Sequence, residues 1–579
     1  MIKKLAKSIR EYKKQSILAP IFVVLEVIME ILIPFYMASI IDKGITNGDM
    51  QYIIKMGILL IVLAGLSLTF GILSGRFAAK ASAGFAQNLR KDMFYNIQNF
   101  SFSNIDKFST SSLVTRLTTD ITNVQNAYQM IIRVLIRGPL MLIFALIMTI
   151  RINIEVSTIF LVAIPVLGVG LFYIAIKAHP HFEKVFKTYD NLNNVVQENV
   201  NSIRVVKSYV REDYEIQKFG NISNKIYNLF RKAEKIVIFN SPLMQFTVYM
   251  SILIISWVSA KLIVRGSMTT GQLTSVIVYA TQILSSLMII SMVFVMIIIS
   301  RSSAERIVEV LDEKSTIQNK KNAKRKVKDG SIDFNNVDFS YVGDKKKLTL
   351  KRINLHIKSG ETIGIIGGTG SAKSTLVQLI PRLYDVTNGC VKVGGRDVRD
   401  YDIETLRDEV AMVLQKNVLF SGTIKDNLRL GKKNATDEEM IKACKQAQAD
   451  SFIQTFPDGY DTYIEQGGTN VSGGQKQRIC IARALLKKPK ILILDDSTSA
   501  VDTKTDSLIR KAFREEIPGT TKLIIAQRIS SVEDADRVIV IDNGEIVAFD
   551  TPANLLKTNK IYQEVYNSQV NGGDDNEEK

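Results

Sequence analysis

Cysteine and histidine are scarce in this chain, with three of each among 579 residues. The cysteines, Cys390, Cys444 and Cys480, lie in the C-terminal half and show neither a metal-binding spacing nor a disulfide pattern. Their distribution excludes a paired-cysteine zinc module and a disulfide scaffold, and it suits a reducing cytosol for that half of the chain.

Acidic residues are also fewer than basic ones: the chain has 57 Asp and Glu and 74 Lys and Arg, which gives a net charge of +17. Such a surplus can indicate a nucleic-acid partner. Here the basic residues crowd the stretches that flank apolar segments, which is the distribution of a membrane protein, and we expect no nucleic-acid partner. A hydrophobic share of 46% beside 23% charged residues fits a membrane half joined to a soluble half.

Six apolar stretches approach the length of about 20 residues that crosses a bilayer. They lie near residues 16–41, 53–74, 134–150, 155–176, 236–264 and 273–300. The basic N-terminus and the long basic gaps belong on the cytosolic side of the cytoplasmic membrane, and the short gaps outside. The long gaps contain few Gly and Pro residues and carry apolar residues at helical spacing, so we expect helices that continue into the cytosol. Turns near Phe102–Lys107 and Val210–Ile216 are candidates for contact with a soluble domain.

The hydrophobic pattern of the sequence changes after residue 330. Short β-rich runs then alternate with helical runs, which is typical of a mainly parallel α/β domain. The sequence therefore predicts an all-α transmembrane domain over 1–312, a basic linker over 313–330, an α/β domain over 331–567 and a disordered acidic tail over 568–579.

A glycine-rich turn follows a predicted strand and opens a helix. It comprises Gly367, Gly368, Thr369, Gly370, Ser371, Ala372, Lys373, Ser374 and Thr375. Its backbone N–H groups can wrap nucleotide phosphates, with Lys373 reaching the β- and γ-phosphates and Ser374 holding Mg²⁺. The strict pattern has Gly at position 372. A positive φ there would cost Ala about 1–2 kcal/mol, whereas a helical conformation costs nothing, and we favour the helical one.

A buried run, Ile491–Leu494, ends in the acids Asp495 and Asp496. Charged residues can follow any buried strand without having a functional role. With a phosphate loop upstream, Asp495 becomes the expected partner of Mg²⁺.

Between these motifs stands Ser472, Gly473, Gly474 and Gln475, and the order of motifs resembles the ABC transporter family, whose signature is Ser-Gly-Gly-Gln. Tyr341 then resembles the residue that stacks on adenine, Gln415 the Q-loop glutamine that contacts Mg²⁺, and Ser499–Asp502 the D-loop that ends in Asp502. Six helices ahead of one such domain resemble an exporter half-transporter. The resemblance implies ATP and Mg²⁺ as cofactors. It also implies two halves that sandwich each ATP between one half's phosphate loop and the other's signature.

Two positions depart from the family pattern. Asp496 stands where the family has a Glu that polarises the attacking water, and Gln527 stands where it has a switch histidine. All three histidines (His179, His181 and His356) precede the phosphate loop. Gln cannot carry a positive charge, and a carboxylate displaced by about 1 Å can cost on the order of 10²-fold in rate. The pattern resembles the degenerate subunit of bacterial heterodimeric exporters, so we expect a slow own site and a different half-transporter as partner. A homodimer with two slow sites, or an ATP-gated regulatory subunit, remains an alternative.

The sequence of the membrane half does not identify the transported molecule. We expect an amphipathic drug or lipid. Glu26 and Glu30 share one helix face and can attract cationic compounds, or equally make a polar contact between helices. Met288, Met292 and Met296 form a stripe on the last apolar stretch, where Met can adapt to varied ligands. Ordinary helix packing is the favoured explanation of the stripe.

Overall fold

The computed structural model describes residues 1–570 and separates them into two compact units. The helical unit comprises residues 1–98 and 109–313, and the α/β unit comprises residues 99–108 together with the chain from Lys314 onward.

Helices form almost all of the first 313 residues. In chain order they are α1 (Ile2–Leu5), α2 (Lys13–Ser39), α3 (Met50–Gln98), α4 (Phe102–Lys107), α5 (Thr110–Thr115), α6 (Ile121–Ile152), α7 (Ile154–Asn201), α8 (Ile203–Ser208), α9 (Glu212–Val237), α10 (Asn240–Val264) and α11 (Thr270–Asp312). Among the described residues, six helical segments are long and apolar enough to cross a membrane: Ile2–Ile45, Met50–Gln98, Thr110–Ile152, Ile154–Asn201, Glu212–Val264 and Thr270–Asp312. Each contains one of the six predicted apolar stretches, and the polar gaps between them are largely helical, as their composition predicts.

Side chains at the helix ends explain two of these boundaries. Asn153 accepts hydrogen bonds from the backbone N–H groups of Glu155 and Val156 and so caps the start of α7. Thr269 and Gln272 form a reciprocal capping box at the start of α11. Such caps satisfy N–H groups that have no partner within the helix, so a helix begins where they stand.

Polar groups on α11 hold it against α2 in the helical unit. The Ser275 hydroxyl donates to the backbone carbonyl of Pro34 at 2.5 Å, and the Tyr279 hydroxyl donates to that of Ile31 at 2.8 Å. Both side chains are buried. Hydrogen bonds of this kind join helices in an apolar environment where the hydrophobic effect contributes little.

Strands and short helices alternate in the α/β unit. The strands are β1 (Ile332–Phe339), β2 (Leu350–Ile357), β3 (Thr362–Ile366), β4 (Asn388–Val393), β5 (Arg396–Asp397), β6 (Val410–Val413), β7 (Gly422–Thr423), β8 (Tyr463–Ile464), β9 (Ile491–Asp495), β10 (Thr521–Ile525), β11 (Arg537–Asp542) and β12 (Glu545–Asp550). The helices are α12 (Lys373–Gln378), α13 (Ile403–Glu409), α14 (Ile424–Arg429), α15 (Asp437–Gln446), α16 (Asp450–Ile453), α17 (Gly473–Leu485), α18 (Thr503–Glu516), α19 (Pro552–Thr558) and α20 (Lys560–Val570).

The central sheet of this unit has six strands among the described residues, in the order β12-β11-β3-β10-β9-β6. All neighbours are parallel except β12, which runs antiparallel to β11. Strands β9 and β10 are buried at every position, because apolar clusters cover both faces of the sheet. Continuous apolar runs such as Ile491–Leu494 are the sequence signature of such parallel strands. An antiparallel sheet, β2-β1-β4-β5, lies beside it.

The helix α20 extends to Val570. Residues 568–570, which the sequence assigns to a disordered tail, are therefore helical. The rest of the predicted tail, residues 571–579, lies outside the described residues.

Candidate functional site

The parallel sheet brings the sequence motifs together at one edge. Strand β10 lies between β3 and β9 and runs parallel to both, so the carboxyl ends of the three strands meet. The glycine-rich loop follows β3, Asp495 ends β9 and Asp496 comes directly after it, and Gln527 follows β10. Ligands of open α/β sheets bind at this edge.

The glycine-rich loop is closed by its own lysine. The Lys373 ammonium donates to the backbone carbonyls of Gly367 and Gly368, both at 2.8 Å, and burial lowers its pKa from the usual value. Gly370 has a φ of 83°, a left-handed conformation that glycine adopts without strain. A Cβ at Gly367 would collide with the carbonyl of Ile541. These glycines allow the tight turn that a phosphate cradle requires.

The expected helical conformation of Ala372 is wrong. Ala372 is the residue before α12 and has φ 78° and ψ 24°, a left-handed conformation. The chain has to reverse between the loop and the helix at this position, and Gly does so without a Cβ clash. Ala372 therefore carries a strain of about 1–2 kcal/mol.

Ser374 and Asp495 make direct contact. The Ser374 hydroxyl donates to Asp495 at 2.9 Å, and the Asp495 side chain is buried, which raises its pKa. A hydroxyl and a carboxylate are hard oxygen ligands of the kind that Mg²⁺ prefers. No group of three or more His, Cys, Asp or Glu residues able to hold a metal occurs in the described part of the chain. A metal at this edge would therefore rely on hydroxyl, amide and phosphate oxygens beside Asp495.

The side-chain amides of Gln527 and Gln415 lie beside Asp496. Gln527 donates from Nε2 to the Asp496 carboxylate at 2.8 Å. Burial raises the pKa of Asp496, and the two amides oppose that effect. The backbone of Asp496 is left-handed, with φ 49°, and its N–H donates to Ile525 of β10. The two residues that depart from the family pattern are thus bonded to each other.

The switch segment, Gln527–Ile529, also contacts the D-loop. Arg528 donates to the backbone carbonyls of Val501 and Ser499, at 3.2 and 3.4 Å. Sequence reasoning missed this residue, because no local pattern distinguishes an arginine that reaches a loop across the sheet edge.

The signature segment caps its own helix. Ser472 accepts from the backbone N–H of Gln475, whose side chain accepts from the N–H of Ser472, which forms a capping box at the start of α17. Gly474 lies against the D-loop, where a Cβ would stand 2.8 Å from the carbonyl of Ala500. Helix N-termini such as that of α17 favour an anion.

A glutamine that the sequence did not single out, Gln477, ties the signature helix to the D-loop. It donates to Ser499 at 3.3 Å and accepts from the N–H of Ala500 at 3.0 Å. Asp502 caps α18 by accepting from the N–H of Thr505 at 2.9 Å, and this bond lowers its pKa.

Tyr341 follows β1 and lies beside the end of the phosphate loop. Its hydroxyl hydrogen-bonds Thr375 at 3.0 Å, and 45% of the residue is exposed. The ring packs edge-on against Tyr384, a residue without a sequence signal, whose hydroxyl donates to Asp106 of α4 at 2.7 Å. The predicted turn Phe102–Lys107 is the short helix α4, which belongs to the α/β unit and contacts Tyr384 there.

The two carboxylates of α2 are paired within the helical unit. Arg137 of α6 contacts Glu26 at 3.2 Å and Glu30 at 2.7 Å. This geometry favours the polar contact between helices over attraction of a cation. Arg137 stands inside an apolar stretch, where no sequence pattern indicates its partners on α2.

The methionine stripe is partly open. Met288 and Met292 are exposed and Met296 is half-buried. These side chains are not a buried core, so they remain available to a ligand, a lipid or a second chain.

Comparison with known families matches both parts of the chain. Residues 16–300 match the family described as ABC transporter transmembrane region, and residues 350–499 match the family ABC transporter.

Curated relatives match over nearly the whole length. An uncharacterized ABC transporter ATP-binding protein of Bacillus subtilis, YfiB, is 36% identical over 572 residues, with 97% of this chain and 98% of the relative covered. An ATP-dependent lipid A-core flippase of Desulfotalea psychrophila is 31% identical over 577 residues, with 98% and 99% covered. A solved bacterial Atm1-family ABC exporter with ATP bound is similar in fold, with a TM-score of 0.85, 23% identity, and coverage of 96% of this chain and 99% of that one.

Proposed function

This chain belongs to the ABC transporter family, as an ATP-driven exporter with fused transmembrane and ATP-binding domains, and from that premise we propose that it is the degenerate-site subunit of a heterodimer. Its own site binds ATP and hydrolyses it slowly. Its signature, Ser472–Gln475, completes the competent site of a different half-transporter.

The bond between Gln527 and Asp496 carries this proposal. A residue that polarises the attacking water needs a free carboxylate oxygen within hydrogen-bond reach of that water. Asp496 is one methylene shorter than Glu, and one of its oxygens accepts from Gln527 at 2.8 Å. Gln527 in turn brings no positive charge toward the γ-phosphate, because a side-chain amide does not ionise.

ATP binding at this site relies mainly on further residues, which we propose are intact. The backbone of Gly367–Ser371 wraps the phosphates, Lys373 moves from the loop carbonyls to the β- and γ-phosphates, and Tyr341 stacks on adenine. Ser374, Asp495 and Gln415 would hold Mg²⁺, which when bound neutralises charge on the phosphate oxygens.

We propose that the domains follow the sequence boundaries, with transmembrane residues 1–312, a linker over 313–330 and an ATP-binding domain over 331–567. The N-terminus and the ATP-binding domain face the cytosol of a bacterial cell. The cargo is an amphipathic small molecule or lipid. The kinship with a lipid A-core flippase supports a lipid-like cargo, and the exposed Met288 and Met292 suit an adaptable apolar contact.

Mg-ATPase activity in lipid tests the proposal, with the chain measured alone and co-expressed with candidate half-transporters. We expect the chain alone to be nearly inactive and one pair to hydrolyse ATP briskly. Equal turnover by the chain alone and by every pair would favour a homodimer. ATP binding without transport by any pair in vesicles would favour a regulatory subunit.

A further inference from the structure

The last helix of the described chain, α20, reaches the ATP site. Its residues Tyr562, Val565 and Tyr566 pack against the apolar cluster of the α/β unit that contains Ile529. Gln569 follows at the i+7 position of the same helix face. The packed face therefore places Gln569 next to the backbone of the switch segment.

The side-chain amide of Gln569 bridges this backbone. Its Nε2 donates to the carbonyl of Gln527 at 2.8 Å, and its Oε1 accepts from the N–H of Ile529 at 2.8 Å. Only one orientation of the amide satisfies both bonds, since the carbonyl needs a donor and the N–H needs an acceptor. The bridge fixes the two peptide groups on either side of Arg528.

The bridged segment carries the side chains of Gln527 and Arg528. Gln527 donates to Asp496, and Arg528 donates to the carbonyl of Val501 in the D-loop. Since both side chains extend from the bridged backbone, a shift of that backbone moves both contacts. The position of Gln527 therefore depends on a glutamine 42 residues later in the chain.

We propose that Gln569 is a positioning residue of the ATP site, which clamps the switch segment from the C-terminal helix and so holds Gln527 toward the γ-phosphate. The inference rests on the proposed function only in taking Gln527 as the residue that faces this phosphate. Its chemical consequence is selective: release of the clamp weakens the hold on ATP and leaves ADP, which lacks the γ-phosphate, unaffected.

Hydrogen exchange of the full chain in lipid tests the clamp itself. Gln569→Met keeps the length and helix propensity of the side chain but removes both hydrogen bonds. The backbone amide of Ile529 should then exchange about fivefold faster, the effect of one net hydrogen bond. Gln563→Met is the matched control, because Gln563 lies on the same helix and donates to Leu556 instead, at 2.8 Å. Gln569→Glu should retain protection of Ile529, since it keeps the acceptor.

Release of bound nucleotide tests the positioning role. The dissociation rate of labelled Mg-ATP from the Gln569→Met chain should rise about fivefold over wild type, and that of Mg-ADP should not change. Gln563→Met should leave both rates unchanged.

Unchanged exchange at Ile529 in Gln569→Met would overturn the clamp. Faster exchange with equal changes for ATP and ADP would overturn the positioning role. Neither readout depends on a heterodimer, whose failure would appear separately as brisk ATP hydrolysis by the wild-type chain alone.

Discussion

The ring of Tyr341 stands edge-on to the ring of Tyr384, with 5.1 Å between the ring centroids and 89° between the planes. Tyr384 is itself held by the bond from its hydroxyl to Asp106, at 2.7 Å. Edge-to-face contact is a favoured geometry of aromatic pairs, so Tyr341 is oriented before any nucleotide arrives.

Loss of the Tyr341 ring should weaken ATP binding. Stacking of a base on an aromatic ring contributes about 1–3 kcal/mol, so Tyr341→Ala should lower Mg-ATP affinity on the order of tenfold or more. Tyr341→Phe keeps the ring, loses only the hydroxyl's bonds to Thr375 and Gln378, and should stay within about twofold of wild type. Equilibrium dialysis with labelled ATP measures both variants. An alanine variant that binds as wild type would show that adenine does not stack here.

Relief of strain at position 372 should stabilise the chain. Ala372→Gly removes a left-handed alanine and should raise the midpoint of thermal unfolding by about 2 °C. Ala443→Gly, in the interior of α15, should lower the midpoint, because Gly costs about 1 kcal/mol inside a helix. Thermal unfolding of the detergent-solubilised chain compares the two. Destabilisation by both substitutions would indicate that Ala372 is unstrained.

ATP binding should weaken in mild acid. Burial raises the pKa of Asp495 above the usual aspartate value, so this carboxylate takes up a proton at a pH where ordinary aspartates remain ionised. A protonated Asp495 cannot ligate Mg²⁺, and affinity for Mg-ATP should therefore fall as pH decreases through the raised pKa and recover above it. Asp495→Asn should bind weakly at every pH. Titration of Mg-ATP binding between pH 4 and 8 checks this, and a flat wild-type profile would contradict it.

Removal of Arg137 should harm the helical unit severely. Arg137→Met leaves Glu26 and Glu30 without their cation, and an uncompensated buried charge costs about 3–5 kcal/mol. We expect loss of folded protein in the membrane. The triple variant Arg137→Met, Glu26→Gln, Glu30→Gln should recover it, because neither carboxylate is left without a cation. Size-exclusion chromatography of solubilised membranes measures the yield, and a normal yield of Arg137→Met alone would show that the ion pairs are dispensable.

The sequence predicts the architecture of this chain well for two physical reasons. Membrane helices need long apolar stretches and buried parallel strands need short ones, so both element types can be recognised from local patterns in the sequence. The phosphate loop, Asp495 and Gln527 could be assigned to one site because each follows a strand of the same parallel sheet.

Other features depend on contacts that no local pattern records. The φ of Ala372 is set by the path from β3 into α12, and the apolar stretch around Arg137 hides its partners on α2. Gln569 and Tyr384 act through residues far away in the chain, and glutamine or tyrosine at such positions is unremarkable by itself. Tertiary packing decides the conformation of Ala372 and the contacts of Arg137, Gln569 and Tyr384.

ATP turnover by the purified chain alone, in lipid, tests the degenerate site most directly when wild type is compared with the double variant Asp496→Glu, Gln527→His. The signature Ser472–Gln475 is complete, so two copies of the double variant would form two complete sites. We predict slow turnover by wild type and a rise on the order of 10²-fold in the double variant, with Asp495→Asn inactive in both backgrounds. Brisk turnover by the wild-type chain alone, with no gain from the two substitutions, would contradict the degenerate site.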